Sequence, residues 1–238
     1  MRRFILPNQR ILCISDLHEP YSHPDALKFL AAIKDKYSPD TIINIGDEVD
    51  NHAMSFHPSD ASLYSAGDEL KKAREEIWKL EELFPKMTLV ESNHGSMAYR
   101  KALVAGIPKE ILRPYKSVLD VKHWKWVPYL NFKLPNKQPC HFIHQLSANV
   151  RMAMQQKMQS VVQGHFHEKF EIVYAGNGER LNFGMTVGCL IDDNSMAFHY
   201  NKVFPKRPII GCGMIIDSQP KLIPLVMKSN GRWNGRIN

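Results

Sequence analysis

Seven side chains of types that bind metal ions each lie just after a short apolar run. Runs of four to eight apolar residues are typical of strands buried in a sheet. Carboxylate, imidazole and amide oxygen together suit Mn²⁺, Fe or Zn²⁺ better than a thiolate site would. The seven residues are Asp16, His18, Asp47, Asn93, His144, His165 and His167.

The central run covers residues 41–45, which are mostly β-branched, and it stops at Gly46. Two carboxylates follow, Asp47 and Asp50. A glycine allows the sharp turn that a site at a strand end needs. An aspartate just past the carboxyl end of a buried strand faces the crevice where open α/β sheets bind ligands. Alone, this pattern has little weight, because turns use the same residues.

The elements around it predict how these side chains meet. Residues 10–15 form a second buried strand that leads to Asp16 and His18, and alternate residues of an extended chain share a face. Residues 24–37 have helical spacing and separate this strand from the Asp47 strand. Such a strand–helix–strand unit is right-handed and places the two strand ends side by side.

The rest of the chain alternates helical and strand patterns, with a loop at 51–67. Helices are predicted over 68–84, over 97–118 with breaks at Gly106, Pro108 and Pro114, and over 148–159. Strands are predicted over 86–91, 121–134 (one strand or a hairpin), 140–144, 160–163, 170–174, 181–191 and 209–216. Without repeats or a linker, 238 residues favour a single α/β domain, 1–238, with two sheets around one core.

The seven candidate ligands are more than one ion usually takes from a protein. A pair of ions that share one carboxylate explains the excess. Asp47 follows the central strand, so it is the predicted bridge.

In this order the residues resemble the calcineurin-like metallophosphoesterases. The motifs of that family are Asp-x-His, Gly-Asp-x-x-Asp, Gly-Asn-His-Asp/Glu, a lone His and Gly-His-x-His. Here they read Asp16-Leu17-His18, Gly46-Asp47-Glu48-Val49-Asp50, Ser92-Asn93-His94-Gly95, His144 and Gly164-His165-Phe166-His167. The resemblance implies a four-layer α/β/β/α sandwich of two mixed sheets.

The resemblance also implies a cofactor of two divalent metal ions, with Mn²⁺ favoured and Fe, Zn²⁺, Ni²⁺ or Mg²⁺ as alternatives. One ion would be held by Asp16, His18, Asp47 and His167. The other would be held by Asp47, Asn93, His144 and His165. His94 would face the leaving group, and Asp50 would orient His94.

Four positions depart from the family pattern. Ser92 and Gly95 replace the usual glycine and acid of the third motif, and Gln145 replaces a frequent glycine after the lone histidine. Asn51 stands where the Ser/Thr phosphatase branch has an arginine that grips the substrate phosphate. The departure at Asn51 favours a phosphodiesterase or nuclease, and the sequence is most similar to small phage and bacterial members.

The net charge of +7 is uneven, since residues 201–238 carry +6 and the first 200 residues +1. A basic end favours a polyanionic partner such as nucleic acid. A solubilising tail is the competing interpretation. Arg100 and Lys101 equally fit a phosphate site or a solvated helix face.

The four cysteines are scattered among apolar residues, as is typical of reduced thiols in a cytoplasmic protein. No apolar run reaches the roughly 18 residues of a membrane span, and the apolar stretch at the N-terminus is too short for a signal peptide.

The predicted function is therefore hydrolysis of phosphodiesters by a dimetal enzyme, with DNA favoured as the substrate. Two alternatives stay open: a phosphomonoesterase acting on nucleotides or small phosphates, and a non-catalytic binding module.

Overall fold

The structure, a computed structural model, describes residues 9–56, 63–192 and 207–237. The strands within these ranges are β1 Arg10–Ile14, β2 Thr41–Asn44, β3 Thr88–Val90, β4 Lys125–Val127, β5 Leu130–Lys133, β6 Pro139–Ile143, β7 Ser160–Gln163, β8 Phe170–Gly176, β9 Leu181–Val187, β10 Gly211–Ile216 and β11 Gln219–Pro224. The helices are α1 Ala26–Tyr37, α2 Ala66–Leu83, α3 Met97–Val104, α4 Tyr115–Leu119 and α5 Val150–Lys157. Single 3₁₀ turns cover His52–Met54 and Lys109–Ile111.

The strands form two mixed sheets. Sheet 1 has the order β11-β10-β1-β2-β3-β4, in which β1 to β4 are parallel. Sheet 2 has the order β5-β6-β7-β9-β8, in which β6, β7 and β9 are parallel. The antiparallel strands are β10 and β11 in sheet 1 and the two edge strands of sheet 2. The carboxyl ends of neighbouring parallel strands thus lie at a common edge of each sheet.

Three apolar layers hold four structural layers together, which confirms the α/β/β/α prediction. The inner faces of the two sheets meet in a core that includes Cys13, Ile43, Phe142 and Met185. The outer face of sheet 1 packs against α1 and α2 through a second cluster. On the outer face of sheet 2, residues of α5 pack on Val161 of β7.

The sequence accounts for the buried face of α1 and for the residue at which α2 begins. In α1, the buried Phe29 and Leu30 lie one helical turn before the buried Ile33, so all three share one face. Ser65 caps α2, since its hydroxyl accepts a hydrogen bond from the backbone N–H of Asp68. This cap begins α2 at Ala66, two residues before the predicted start.

Residues 121–134 contain two strands in different sheets, which is neither the single strand nor the hairpin predicted. β4 pairs in parallel with β3 in sheet 1, whereas β5 pairs with β6 in sheet 2. Pro128 lies between the two strands and has no N–H to donate to a hairpin ladder. The chain therefore passes from one sheet to the other at this point.

The edge strand β11 has no counterpart in the sequence prediction. It contains Pro220 and Pro224, and proline in a sequence argues against a central strand. β11 pairs only with β10, so its other side needs no backbone donors.

The chain end docks on α1 through part of its positive charge. The Arg232 guanidinium donates to both carboxylate oxygens of Asp25, at 2.7 and 2.5 Å. Trp233 packs edge-on against Phe29, with 5.7 Å between ring centroids. Of the basic residues counted in the segment 201–238, Lys202 and Lys206 lie outside the described residues.

Two further expectations can be compared with the described residues. All four cysteines are buried, and none forms a disulfide. No helix in the described ranges is long and apolar enough to cross a membrane.

Candidate metal centre

The structure places all seven predicted ligand residues after the carboxyl ends of parallel strands. In sheet 1 they follow β1, β2 and β3, and in sheet 2 they follow β6 and β7. The loops of the two sheets touch directly, because the backbone N–H of His165 donates to Asp16 Oδ2 at 2.9 Å. Residues from both halves of the chain therefore enclose one site.

Backbone hydrogen bonds fix the sheet 1 loops against each other. The N–H of Asp16 donates to the carbonyl of Gly46 at 3.0 Å, and the N–H of His18 donates to that of Asp47 at 2.9 Å. Four of the seven candidate ligands have left-handed backbones: Asp16 (φ 52°), His18 (φ 53°), Asp47 (φ 53°) and His165 (φ 67°). Residues other than glycine seldom adopt this conformation, and such strain concentrates at functional sites.

Two glycines permit the close approach of these loops. Gly46 has φ +105°, and an added Cβ would lie 2.6 Å from the Cβ of Ser92. At Gly164 an added Cβ would lie 1.9 Å from Ser15 Oγ and 2.6 Å from Asp16 Oδ2. A side chain at Gly164 would therefore push the two sheets apart at the site.

The first donor cluster contains Asp16, His18 and His167. His167 Nε2 lies 3.1 Å from Asp16 Oδ1 and 3.2 Å from His18 Nε2. His18 Nδ1 donates to Asp50 Oδ1 at 2.6 Å, so Nε2 of the neutral ring has a lone pair. Two imidazole nitrogens and a carboxylate oxygen thus converge on one point.

The second donor cluster contains Asp47, His144 and His165, with Asn93 beside them. His144 Nδ1 donates to the carbonyl of Ile45 at 2.8 Å, which leaves its Nε2 as an acceptor. That nitrogen lies 2.7 Å from Asn93 Oδ1 and 3.2 Å from Asp47 Oδ2.

One oxygen of Asp47 lies between the clusters. Asp47 Oδ2 is 3.7 Å from His18 Nε2 in the first cluster and 3.2 Å from His144 Nε2 in the second. Its other oxygen accepts the backbone N–H of His94 at 3.1 Å, which fixes the orientation of the carboxylate. This is the position that a carboxylate shared by two cations requires.

The donor set fits divalent cations. Carboxylate oxygens, an amide oxygen and imidazole nitrogens face one another as acceptors, and such crowded lone pairs repel unless a proton or a cation lies between them. The second ring nitrogens of His18 and His144 are already bonded to Asp50 and Ile45, as is typical of metal-binding histidines.

The electrostatics agree with this fit. Burial opposes ionisation of Asp16, but hydrogen bonds from His167 and His18 outweigh it and hold the pKa of Asp16 well below its usual value. Burial likewise opposes ionisation of Asp47, and the charge of His144 outweighs it, so the pKa of Asp47 is also lowered. The pKa of His144 is raised to about 9, because attraction to Asp47 exceeds the effect of burial. Protons on these rings therefore occupy the place that cations can take.

His94 is held by Asp50 through the backbone carbonyl of Asp50 and not through its carboxylate. Its Nδ1 donates to the backbone carbonyl of Asp50, whereas the Asp50 carboxylate lies 3.6 Å from that nitrogen. The carboxylate bonds instead to His18, at 2.6 Å. Burial lowers the pKa of His94 below its usual value.

Two of the four departures from the family pattern, Ser92 and Asn51, make defined contacts in the structure. Ser92 Oγ accepts the backbone N–H groups of Asp47 and Gly95, at 3.0 and 3.2 Å, and so supports the central turn. Asn51 Nδ2 donates to the carbonyl of His94 at 3.0 Å.

Sequence reasoning missed two supporting residues, Ser15 and Glu69. The hydroxyl of Ser15 donates to Asp16 Oδ2. The buried carboxylate of Glu69, on α2, accepts the backbone N–H groups of His52 and Ala53 at 2.7 and 2.9 Å. It thereby anchors the loop after Asp50. A charged residue in an otherwise ordinary amphipathic helix gave no signal of this contact.

The sequence profile of the calcineurin-like phosphoesterases matches residues 9–169, more than half of the 238 residues and the part that carries every donor above. The chain belongs to this family. This family is dimetal-dependent, and the two donor clusters described above contain the candidate ligands.

Several solved structures are similar to this calcineurin-like phosphoesterase. Vacuolar protein sorting 29 from Cryptosporidium parvum is 12% identical over 97% of this chain and 95% of its own, with a TM-score of 0.49. YfcE, a phosphoesterase from E. coli, is 16% identical over 87% and 88%, with a TM-score of 0.46. A metallophosphoesterase from Sphaerobacter thermophilus is 15% identical over 90% and 87%, also at 0.46. No curated protein matches the sequence.

Proposed function

We propose that this protein is a dimetal phosphodiesterase and that its substrate is nucleic acid, with DNA favoured. The observation that carries the proposal is the position of Asp47 Oδ2 between two donor clusters, with His94 bonded to the same carboxylate through its backbone. Two cations held by such a shared carboxylate would clamp and neutralise a phosphoryl group and activate water at neutral pH.

In this proposal, seven side chains bind the two ions and Asp50 orients two of the histidines. Asp16, His18 and His167 hold one ion with Asp47, and Asn93, His144 and His165 hold the other with Asp47. Asp50 fixes the ring of His18 through its carboxylate and that of His94 through its carbonyl.

His94 then has Nε2 to offer to the leaving oxygen, since no described residue is bonded to that atom. Donation from Nε2 needs the protonated ring, because Nδ1 already gives its hydrogen to Asp50. Burial lowers the pKa of His94, and an anionic substrate phosphate beside the ring works in the opposite direction.

Asn51 supports a diester over a protein phosphomonoester. A monoester dianion carries more charge than a diester, and an arginine at this position would offset it. Here the side chain is a neutral amide that bonds to the backbone of His94. The site therefore suits a substrate with a single negative charge at the reacting phosphorus.

An activity screen tests the proposal. The protein with added Mn²⁺ is assayed on bis-p-nitrophenyl phosphate, p-nitrophenyl phosphate, and single- and double-stranded DNA, and EDTA-treated protein and His94→Ala are the controls. We expect turnover of the diester and of DNA that EDTA abolishes. Preference for p-nitrophenyl phosphate would establish a phosphomonoesterase instead, and metal binding without turnover of any substrate would establish a non-catalytic module.

A further inference from the structure

An exposed aromatic ring with two cations lies beside the candidate metal centre. Phe56 is 52% exposed and lies in the loop that begins after Asp50. The guanidinium carbon of Arg100 lies 5.2 Å from the Phe56 ring centroid, and Lys101 Nζ lies 5.3 Å from it. Both distances are within the range of cation–π attraction, so the ring positions both charges.

This group is connected to the metal centre by short contacts. Arg100 Nη2 donates to the backbone carbonyl of Asn93 at 2.7 Å. The side chain of Asn93 is a candidate ligand, 2.7 Å from His144 Nε2. The loop that contains Phe56 is anchored near its start by Glu69, which accepts the backbone N–H of His52.

The surrounding segment is basic and contains an aromatic side chain. Residues 97–118 contain five Lys/Arg and a single acid, Glu110. Lys109 Nζ lies 5.2 Å from the ring centroid of Tyr99, so a second cation–π pair follows along the segment. Among the described residues, no carboxylate forms a salt bridge with Arg100 or Lys101.

The chain end is less suited to this role. Lys221 Nζ donates to the hydroxyl of Tyr37 at 2.8 Å, and the carbonyl of Tyr37 accepts from Arg10 at the amino end of β1. Lys221 thus lies at the end of sheet 1 opposite the ligands. Arg232 is bonded to Asp25.

We infer that Phe56, Arg100 and Lys101 form a subsite for the nucleic acid strand that flanks the reacting phosphodiester. Arg100 and Lys101 bind neighbouring phosphates, and the open part of the Phe56 ring stacks on a base. An aromatic surface with basic groups is the usual platform for single-stranded nucleic acid, because every base has a face to stack. The inference rests on the proposed function. It adds that the base and the phosphates next to the reacting one are bound outside the metal centre.

Three substrates separate the contributions. Bis-p-nitrophenyl phosphate has neither base nor second phosphate, thymidine 5′-p-nitrophenyl phosphate adds a base, and oligo(dT) of about twelve nucleotides adds both. The variants are Phe56→Leu, Arg100→Gln and Lys101→Gln, with Lys221→Gln as the matched control. We expect Lys101→Gln to lower the ratio of kcat/KM on oligo(dT) to that on bis-p-nitrophenyl phosphate about tenfold. Phe56→Leu should lower the corresponding ratios for both base-containing substrates.

Binding gives a second measurement. On a His94→Ala background with Mn²⁺, anisotropy of labelled oligo(dT) should show that Lys101→Gln reduces the salt slope by about 0.7, the loss of one phosphate contact on a single strand. Lys221→Gln should leave the slope as it is. Arg100 also donates to the backbone of Asn93, a candidate metal ligand. The metal content of Arg100→Gln must therefore be measured, so that loss of an ion is distinguished from loss of a phosphate contact.

The outcomes distinguish the two proposals. If the wild type cleaves diesters but Lys101→Gln and Phe56→Leu match Lys221→Gln on every substrate and in binding, the subsite is wrong and the proposed function stands. If the wild type cleaves no diester, the proposed function fails. The salt slopes then decide whether the subsite binds nucleic acid.

Discussion

The two sheets contribute different chemistry to the same site. Sheet 1 supplies carboxylates, an amide and one imidazole, and Asp16 and Asp47 are only 0% and 1% exposed. Sheet 2 supplies imidazoles alone, and two of the three, His165 and His167, are partly exposed. All the negative charge in the donor set therefore comes from sheet 1.

This difference follows from the energetics of burial. A buried carboxylate is tolerated only with fixed hydrogen-bond partners. The loops of sheet 1, which are hydrogen-bonded to each other through their backbones, provide such partners. Imidazole can bind a metal as a neutral ligand and is less demanding of its surroundings. On the proposed assignment, sheet 1 would fix where cations bind, and sheet 2 would complete the coordination.

The largest effect should come from Asp47→Asn. Removal of the shared charge should release both ions and lower kcat/KM by at least about 10³-fold, because metal catalysis supplies several kcal/mol and each 1.4 kcal/mol is tenfold. Elemental analysis and diester turnover are the measurements. Full metal content with normal turnover would refute the assignment of Asp47 as the bridge.

His165→Ala is the matched change in sheet 2. It should retain the ion of the first cluster and lose only that of the second, so metal content should fall by about half. Equal metal loss in His165→Ala and Asp47→Asn would break the proposed contrast between the sheets.

The next effect concerns His94 and Asp50. His94→Ala should keep both ions and slow turnover about 10²–10⁴-fold, most for substrates with poor leaving groups, because the proposed role is at the leaving oxygen. Asp50→Asn should instead weaken metal binding about 10–100-fold, since its carboxylate supports His18. Leaving-group dependence and metal titration separate the two variants, and identical profiles would argue against different roles.

Features of the fold that depend on neighbouring residues in the chain could be predicted from the sequence. The buried strands with polar residues at their ends were predicted because apolar runs and strand ends are visible in the residue order. The sheet membership of β4 and β5 was not, because it depends on partners far along the chain. For Asp50 the pattern gave the residue type but not the atom, since 2.6 Å to His18 against 3.6 Å to His94 is decided by the folded loop. Ser92 stood out only as a departure, and its two backbone partners became visible in the structure.

A smaller effect is expected where the two sheets meet. Gly164→Ala should lower the free energy of unfolding by about 1–3 kcal/mol, because the added Cβ would overlap Ser15 and Asp16. Gly178→Ala, in the turn between β8 and β9, has no atom within 4 Å of the new Cβ and serves as the control. Denaturant unfolding measures both, and equal values would show that the contact between the sheets can adjust.

An effect of similar size on stability tests a sheet 2 imidazole away from the site. His141 is buried on β6, and burial, with a smaller effect of Lys157, lowers its pKa to about 4. Since the pKa of an unfolded histidine is about 6.5, the unfolded chain binds more protons between these values, and stability should fall as the pH falls from about 6.5 to 4. The loss due to His141 between pH 7 and pH 5 should be about 2 kcal/mol. Denaturation of wild type and His141→Gln at pH 7 and 5, with EDTA, measures it, and parallel curves would exclude His141 as the cause.

The hydrogen bond between Asp16 and His167 joins residues 151 positions apart. During synthesis, the first cluster cannot assemble until residue 167 has been added, because His167 is one of its three members. Closing so long a segment is slow and entropically unfavourable before the sheets have formed. A nascent or truncated chain would therefore hold isolated ligands rather than a site. Metal uptake would report the completion of folding, and the bound ions would in turn stabilise the finished protein by mass action.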